Sequence, residues 1–321
     1  MKNEPVRHHY VPRFLLKPFC FEGNKINYYD KKTGKFSVKD IKSIFVEKNF
    51  YRDDINNEND PMKLEKDFAK FESEVSRIFR KFLNGKDIII SIAEYEEMQF
   101  FFALMMFRGK NRMNEFSGEV SDDFRKFYSH YQKDENFNDF WKRNLGYLAN
   151  CRSIYEVMEH PQIDDPIKSG MFRDTKGASY PLSESYFVVA EKQGNEELIL
   201  SEEFCHNIEG EFFDGTHMTA YTFIPISPQR ILIRICNGVD VVQGKVKEVT
   251  WFNRDVIKRP QFLKDRINIK FHVNYIYAKD VRRINAARFG GSTEGVAFRD
   301  KSAVSIDDYP NINNHYGMFI I

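Results

Sequence analysis

Two adjacent histidines lie close to the start of the chain, within VRHHYVPRFLLKPF (residues 6–19). An imidazole titrates near neutral pH, so it can transfer a proton or bind a metal ion. In an extended segment, His8 and His9 point to opposite faces, and a single metal ion or substrate cannot readily engage both. We therefore expect one of the two rings to act as a metal ligand or general base. In the alternative, both rings form only local hydrogen bonds and fix the N-terminal segment.

The spacing of the histidines argues against one nuclease motif. HHYVP is similar to the opening strand of HNH nucleases, in which a histidine activates the attacking water. That motif needs a further asparagine and histidine on a nearby helix, whereas the next histidine here is His130 and residues 20–51 read as strands. An HNH site is therefore not expected.

Two arginines in FRGKNRM offer positive charge for an anion. Arg108 and Arg112 are four residues apart and share one face of a predicted helix. Two guanidinium groups so placed can clamp a phosphate or carboxylate group through paired hydrogen bonds. In the alternative, they form ion pairs with Glu72 or Glu74 of the preceding helix.

Carboxylates and a histidine follow a predicted strand in LILSEEFCHNIEGEFFDGTH (residues 198–217). Glu202, Glu203 and His206 could bind a divalent metal or act as acid and base. A polar connection between strands would give the same residues without any chemistry. The sequence thus predicts two overlapping sets, with catalytic residues His8, His9, Arg108, Glu202 and Glu203, and divalent-metal ligands His9, Glu202 and His206.

The acidic loop RDDINNENDP (residues 52–61) partly matches a calcium-binding pattern. The first, third, fifth, seventh and twelfth positions of an EF-hand loop would be Asp54, Asn56, Glu58, Asp60 and Glu65. The match is incomplete, because Asn59 stands where the sharp turn needs glycine and no helix precedes the loop. A solvated loop before a helix N-terminus, where acidic residues are favoured, explains the same pattern.

Basic and aromatic residues are interleaved near the C-terminal end. Residues 251–290 hold ten Lys or Arg against three acidic residues, and the aromatic residues among them include Trp251, Phe252, Phe262, Phe271, Tyr275 and Tyr277. Basic groups between aromatic rings suit a single-stranded nucleic acid or another polyanion. Alternatively, the aromatic rings alternate along a strand, point into the core, and leave the basic residues as a charged sheet face.

The helices and strands expected along the sequence indicate an α+β fold. In this fold, a central helical bundle is inserted between an N-terminal β-hairpin element and a C-terminal mostly antiparallel sheet. We expect three regions. Residues 1–60 contain the histidine-bearing signature HHYVP and a β-element, and residues 61–160 form the bundle. Residues 161–321 form a β-rich region that makes one compact unit with the N-terminal element. The first helix carries an apolar stripe formed by Leu64, Phe68, Phe71, Val75, Ile78 and Phe82, and Asn84-Gly85 ends it.

Weaker patterns complete the prediction. The segment around residues 92–107 predicts a buried helix, and further helices are expected over 121–133, 138–159 and 279–288. Residues 162–182 are rich in turn formers and mark a boundary. Strand hairpins are expected around residues 31–34, Gly194-Asn195 and Ser227-Pro228.

Bulk composition limits the function classes. Lys and Arg number 48 against 47 Asp and Glu, a balance that argues against binding nucleic acid over the whole surface but permits a local basic face. The longest apolar run, residues 100–107, is far shorter than a membrane span. The four cysteines are widely separated, as expected for reduced thiols rather than a zinc or disulfide framework. We therefore expect a cytoplasmic protein with no membrane contact.

Several segments together resemble a known family. HHYVPRFLLKPF, followed by INYYDKKTGKFS and KNFY, is similar to the opening of the bacterial family called domain of unknown function 4238, whose members begin with His-His-Tyr-x-Pro. The likeness continues in LEKDFAKFESEVSRI, MMFRGKNR, FIPISPQRILI and RRINAARF, which resemble the family's glutamate-bearing helix, arginine-bearing helix, late strand pair and asparagine-bearing helix. Where the family usually has Ser-Asp-x-Pro, this chain has Ser201-Glu202-Glu203-Phe204. The resemblance implies no mechanism, since the family has no established activity.

Two functions of different classes remain open. The leading hypothesis is a hydrolase, metal-assisted or using a general base, that acts on a phosphate-bearing substrate such as nucleic acid. The alternative is a non-catalytic binding or regulatory protein whose basic C-terminal face engages a polyanion or a protein partner.

Overall fold

The computed structural model describes residues 7–110, 113, 135–174, 185–211, 217–236 and 257–309. The helices are α1 (Arg13–Leu16), α2 (Lys63–Asn84), α3 (Ile92–Phe107), α4 (Phe137–Leu148), α5 (Ile154–Glu159), α6 (Asp165–Asp174) and α7 (Ala278–Gly291). The strands are β1 (Arg7–His9), β2 (Lys25–Asp30), β3 (Lys35–Asp40), β4 (Val46–Lys48), β5 (Asp87–Ser91), β6 (Ser185–Lys192), β7 (Leu200–Ser201), β8 (His206–Glu211), β9 (His217–Pro225), β10 (Arg230–Cys236), β11 (Gln261–Phe262), β12 (Asn268–Ile276) and β13 (Gly295–Phe298). The predicted α+β class is confirmed.

Residue contacts divide the chain into two units that interleave along the sequence. The first comprises Met1–Pro12, Phe45–Ile78 and Ala93–Ala178, and the second comprises Arg13–Ile44, Phe79–Ile92 and Ser179–Ile321. The limits at residues 60 and 160 drawn from the sequence stay a prediction. No helix within the described ranges has both the length and the apolar character needed to cross a membrane.

The first unit is built around the apolar faces of α2 and α3. The predicted stripe of α2 is confirmed, since its members from Leu64 to Ile78 are all buried. Helix α3 is buried nearly all round, and its last carbonyl, on Phe107, accepts a hydrogen bond of 3.1 Å from the Trp141 indole of α4. Strands β1 and β4 pair in an antiparallel two-stranded sheet. Strand β4 and the loop that follows it therefore belong to the same unit as α3.

The second unit contains two sheets. One has the order β11-β12-β6-β10-β9-β8, with β5 also paired to β12, and the other has the order β3-β2-β13-β7. The hairpins β2–β3 and β9–β10 form where the sequence predicts them. Most neighbours are antiparallel, whereas β12 and β6 run parallel. Helix α7 packs on the larger sheet through Val281, Ile284 and Ala287.

The predicted hairpin around Gly194-Asn195 is wrong. Strand β6 pairs with β10 and β12, whereas Leu200 of β7 pairs with Ala297 in the other sheet. The reason is that Leu198, Ile199 and Leu200 are all fully buried in succession. A hairpin strand with one solvated face would alternate instead, so this stretch crosses from one sheet to the other.

The predicted helix over 138–159 is two helices, α4 and α5. Ser153 takes an extended conformation and its side chain accepts a hydrogen bond from the Glu156 backbone N–H, so it caps a new helix. The turn-rich segment 162–182 contains α6, in which Pro166 occupies the first turn, where a missing N–H is tolerated. The helix predicted over 121–133, as well as Arg112, Trp251 and Phe252, lies outside the described residues.

The predicted core face of β12 is only half correct. Ile269 and Phe271 are buried, but Tyr275 and Tyr277 are 61% and 62% exposed. The first half of the strand pairs with β5, and its second half pairs with β6. Burial therefore changes along the strand, and Ile276 rather than Tyr275 joins the core beside α7.

The C-terminal end of α2 belongs to the second unit from Phe79 onward, and a buried arginine of that same unit holds it. Arg230 donates from Nη1 to the carbonyl oxygens of Phe82 (2.9 Å) and Gly85 (2.7 Å), and from Nη2 to Glu191 (2.6 Å). These carbonyls have no partner within the helix, and the guanidinium charge lies at the negative end of the helix dipole. Gly85 itself is required, because a Cβ there would lie 2.9 Å from the Lys81 carbonyl oxygen.

We expect Arg230→Met to lower the free energy of unfolding by about 2–3 kcal/mol, because the change leaves two carbonyl groups and a carboxylate without their hydrogen-bond donor. Urea unfolding followed by circular dichroism measures this. Arg80→Met, on an exposed part of the same helix, is the matched control and should change stability by less than about 0.5 kcal/mol. Equal effects of the two variants would show that Arg230 does not hold the helix end.

Candidate active site

His8 is fully buried in β1 and bonds to a backbone group. Its Nδ1 accepts a hydrogen bond of 2.8 Å from the backbone N–H of Tyr51, and the two rings stack with centroids 5.9 Å apart. Because an N–H can only donate, Nδ1 must be unprotonated, and the proton of the neutral ring lies on Nε2. In this tautomer His8 can donate from Nε2, but neither nitrogen presents a free lone pair to a metal ion or a substrate proton.

His9, the next residue, is partly exposed. The alternation of burial along β1 agrees with the expectation that the two rings face opposite sides. The geometry therefore separates the two histidines by role, and a catalytic or metal-binding role for His9 stays a prediction.

Arg108 follows the last turn of α3 and is only 1% exposed. Its Nη2 donates to Glu72 Oε1 at 2.5 Å, so the ion pair with Glu72 that the sequence left open is present. Its guanidinium lies 4.4 Å from the ring centroid of Phe68 and 5.6 Å from that of Tyr51. Its Nε is buried and has no hydrogen-bond partner in the described part of the chain. One strong donor of a desolvated cation is thus left unused.

Tyr51 connects the histidine to the arginine. Its backbone N–H donates to His8, and its hydroxyl donates to the Arg108 carbonyl oxygen at 3.1 Å. Burial raises the pKa of the Tyr51 hydroxyl above its ordinary value. The phenol therefore stays protonated and acts here as a structural donor.

Glu65 and Glu72 lie two helical turns apart on α2, on one flank of its apolar stripe. Burial raises the pKa of Glu65 to about 7, against the opposing charge of Arg108 and with a further contribution from Glu72. Burial also raises the pKa of Glu72, although its ion pair with Arg108 opposes that change. A carboxyl with a pKa near neutrality beside a buried cation can both give and take a proton under physiological conditions.

Glu202 is engaged by a turn in the second unit. Its carboxylate accepts hydrogen bonds from the Ser292 hydroxyl (2.7 Å), from the Thr293 backbone N–H and hydroxyl, and from the Glu294 backbone N–H (2.9 Å). These contacts hold the segment between α7 and β13. The carboxylate therefore has a structural use that the sequence pattern did not reveal.

Glu203 and His206 meet at the C-terminal end of α7. A Cβ at Gly291 would lie 3.2 Å from His206 Nδ1 and 3.7 Å from Glu203 Oε2. Burial, helped by the charge of Arg288, lowers the pKa of His206 to about 3. Arg288 is fully buried and donates to the carbonyl oxygens of Glu203 (2.8 Å) and Phe223 (3.2 Å). His206 is therefore neutral at physiological pH.

The predicted site residues thus fall into two groups. His8, His9 and Arg108 belong to the first unit, and Glu202, Glu203 and His206 belong to the second. Among the residues that the structure describes, no cluster of three or more His, Cys, Asp or Glu could hold a metal ion. The ligand set His9, Glu202 and His206 stays a prediction.

Comparison with known proteins places the chain in a family. The profile of the family described as "Protein of unknown function (DUF4238)" matches residues 7–302. The chain belongs to this family. No curated protein and no solved structure matches the chain significantly. The match covers both units, so the DUF4238 region includes the Arg108 site as well as the Glu202 turn.

The sequence patterns did not single out Glu65 of this DUF4238 protein as an acid–base candidate. The EF-hand pattern placed Glu65 at its last position. The carboxylates of that loop instead form ion pairs with basic side chains, Asp54 with Arg52 and Asp60 with Lys66. The available signal was the spacing of Glu65 and Glu72, which puts two carboxylates on one helix flank. No local signal pointed to Tyr51.

The tautomer of His8 can be measured directly. We expect nitrogen-15 NMR of histidine-labelled protein to show a His8 ring protonated at Nε2 and unprotonated at Nδ1, because Nδ1 accepts the Tyr51 N–H. The His8→Asn variant assigns the signal by its disappearance. A ring protonated at Nδ1 would contradict this geometry and would leave the Nε2 lone pair available to a metal ion or a proton.

The raised pKa of Glu65 predicts a pH-dependent gain in stability for Glu65→Gln. The folded-state value of about 7 exceeds the ordinary 4.5, so the folded protein binds the proton more tightly. The contribution of Glu65 to stability is therefore fully present below about pH 4.5 and is lost as the pH rises through 7. A glutamine cannot ionise, so the variant should exceed the parent by about 2–3 kcal/mol at pH 8, and the gain should vanish towards pH 4.

Urea unfolding at the two pH values tests this expectation. Glu58→Gln, which removes an exposed carboxylate from the preceding loop, is the matched control and should show little difference at either pH. A gain for Glu65→Gln that is the same at both values would mean that Glu65 does not titrate in between.

Proposed function

We propose that this DUF4238 protein is a hydrolase of phosphate-bearing substrates in which Glu65 is the general acid–base and Arg108 stabilises negative charge. The observation that carries the proposal is the half-buried Glu65 carboxyl, with a pKa of about 7, beside the buried guanidinium of Arg108 with its unused Nε donor. A cytoplasmic location is part of the same proposal.

The chemistry follows from these two groups. Ionised Glu65 takes a proton from a water molecule as the water oxygen forms a bond to phosphorus. Arg108 stabilises the charge that develops on the phosphate oxygens, and its field is strong because its surroundings exclude water. The bond to the leaving oxygen breaks, and Glu65 returns the proton to that oxygen.

The other residues support this arrangement without touching the substrate. Glu72 accepts a hydrogen bond at one edge of the guanidinium, and the guanidinium lies over the rings of Tyr51 and Phe68. His8 fixes Tyr51 through the backbone N–H. The proposal takes its proton transfer from Glu65, since Glu202 of the predicted metal set is already engaged by the 292–294 turn.

A binding role is the second candidate, because three aromatic rings of the C-terminal basic region are exposed to solvent. Phe262, Tyr275 and Tyr277 are 43%, 61% and 62% exposed. Exposed rings among basic residues are the arrangement on which single-stranded bases stack. This observation favours nucleic acid as the polyanion.

We expect Glu65→Gln to lower kcat by about 100-fold or more, because general acid–base catalysis contributes that much. The assay uses p-nitrophenyl phosphate, bis-p-nitrophenyl phosphate and a single-stranded oligonucleotide, with Glu58→Gln as the matched control. Parent activity should rise with pH through about 7 as Glu65 ionises, and the residual activity of Glu65→Gln should lack this rise.

Equal turnover by parent and Glu65→Gln would remove Glu65 from the mechanism. Absence of turnover on all three phosphate esters would reject the substrate class. Oligonucleotide binding without turnover, unchanged in Glu65→Gln and lost in Tyr275→Ala, would favour the binding role.

A further inference from the structure

A polar cleft of about 250 Å³ lies in the first unit, apart from the acid–base site. Its lining includes Asn56 and Asn57 from the loop before α2, Asp67 of α2, and Tyr147 and Asn150 at the end of α4. Asp67 lies on the flank of the α2 stripe opposite to Glu65. The volume is slightly below the range of about 300–1,000 Å³ usual for ligand pockets, so a small molecule fits it.

The side-chain N–H groups of three asparagines at this cleft already have acceptors within the protein, and Asn150 Nδ2 also lies 3.4 Å from Asp67 Oδ2 of the cleft lining. Asn56 Nδ2 donates to Asp53 Oδ1 (3.1 Å), Asn57 Nδ2 to Asp53 Oδ2 (2.8 Å), and Asn150 Nδ2 to the Gly146 carbonyl oxygen (2.9 Å). Each partner can only accept, so the orientation of each amide is fixed. Within the described ranges, the three amide oxygens receive no hydrogen bond from any donor, and they remain for a ligand.

Both cations that line the cleft already have carboxylate partners. Lys63 pairs with Asp67, and Arg143 pairs with Glu135 (2.5 Å) and Asp164 (3.0 Å). An anionic ligand would therefore compete with these carboxylates for the two cations. A neutral ligand rich in hydroxyl groups needs no such exchange and meets hydrogen-bond acceptors instead.

We propose that this cleft binds a neutral ring with adjacent hydroxyl groups, the chemistry shared by a monosaccharide and by the ribose of a nucleoside. Hydroxyl groups supply the donors that the three amide oxygens lack. The Tyr147 ring supplies apolar surface against which the C–H groups of such a ring pack. The site is independent of the acid–base chemistry of Glu65 and would exist without it.

Ligand-observed saturation-transfer NMR on the full chain tests the proposal with D-glucose, D-ribose and adenosine at millimolar concentration. Cyclohexanol, a ring with one hydroxyl group, and spermidine, a cationic donor, are the negative probes. At least one hydroxyl-rich probe should bind and both negative probes should not. Binding of D-glucose identifies a monosaccharide site, and binding of adenosine and D-ribose alone identifies a nucleoside site.

Variants locate the binding in the cleft. Asn150→Leu removes an acceptor from an exposed position and should weaken binding roughly tenfold, the effect of one lost hydrogen bond. Tyr147→Phe keeps the ring and should weaken binding less. The matched control, Asn195→Leu at an exposed asparagine outside the cleft, should bind as the parent does, and thermal unfolding confirms that each variant is folded.

Three results would overturn the proposal. The first is the absence of saturation transfer to any hydroxyl-rich ring. The second is binding that Asn150→Leu leaves unchanged. The third is spermidine binding that displaces the neutral rings, which would make the cleft a cation site.

Discussion

The first unit is organised around a buried charge, the guanidinium of Arg108. Removing such a group from water is costly, and the cost is met only where partners surround it. Glu72 provides the opposite charge, while the rings of Phe68 and Tyr51 provide polarisable faces. Because the partners come from α2 and from the residues after β4, the charge determines where both segments lie. Breaking a buried pair of this kind costs about 3–5 kcal/mol.

The same charge explains why two glutamates of one helix behave differently. Glu72 accepts a direct hydrogen bond from Arg108. Glu65 interacts with Arg108 only through the electrostatic field, and burial is the main reason that its pKa is raised to about 7. Two titratable groups whose surroundings separate their protonation states are a recurrent feature of acid–base sites. The division of roles arises from position along the helix and not from residue type.

Local signals in the sequence predicted the local structure well. The stripe and end of α2 follow from helical periodicity and a C-terminal glycine, and the β9–β10 hairpin follows from Ser227-Pro228. The hairpin at Gly194 failed because Leu200 pairs with Ala297, a partner that no local pattern can reveal. The run that contains Leu200 is buried because it packs against both sheets.

The candidate site was predicted only in part, for the same physical reason. The pairing of Arg108 with Glu72 was one of two alternatives that helix spacing left open. The tautomer of His8 depends on the backbone N–H of Tyr51, 43 residues away, and the titration of Glu65 depends on how deeply it is buried. Burial and distant hydrogen bonds are products of the complete fold, so residue types and spacing alone could not give them.

The closeness of Glu65 to Arg108 has a thermodynamic consequence. An anion attracted by the guanidinium also comes near the carboxyl group, and added negative charge favours the protonated form of that group. Near neutral pH, where Glu65 is about half ionised, occupancy by an anion would draw a proton from solution. Affinity for anions would then decline as the medium becomes more alkaline, even though no histidine takes part.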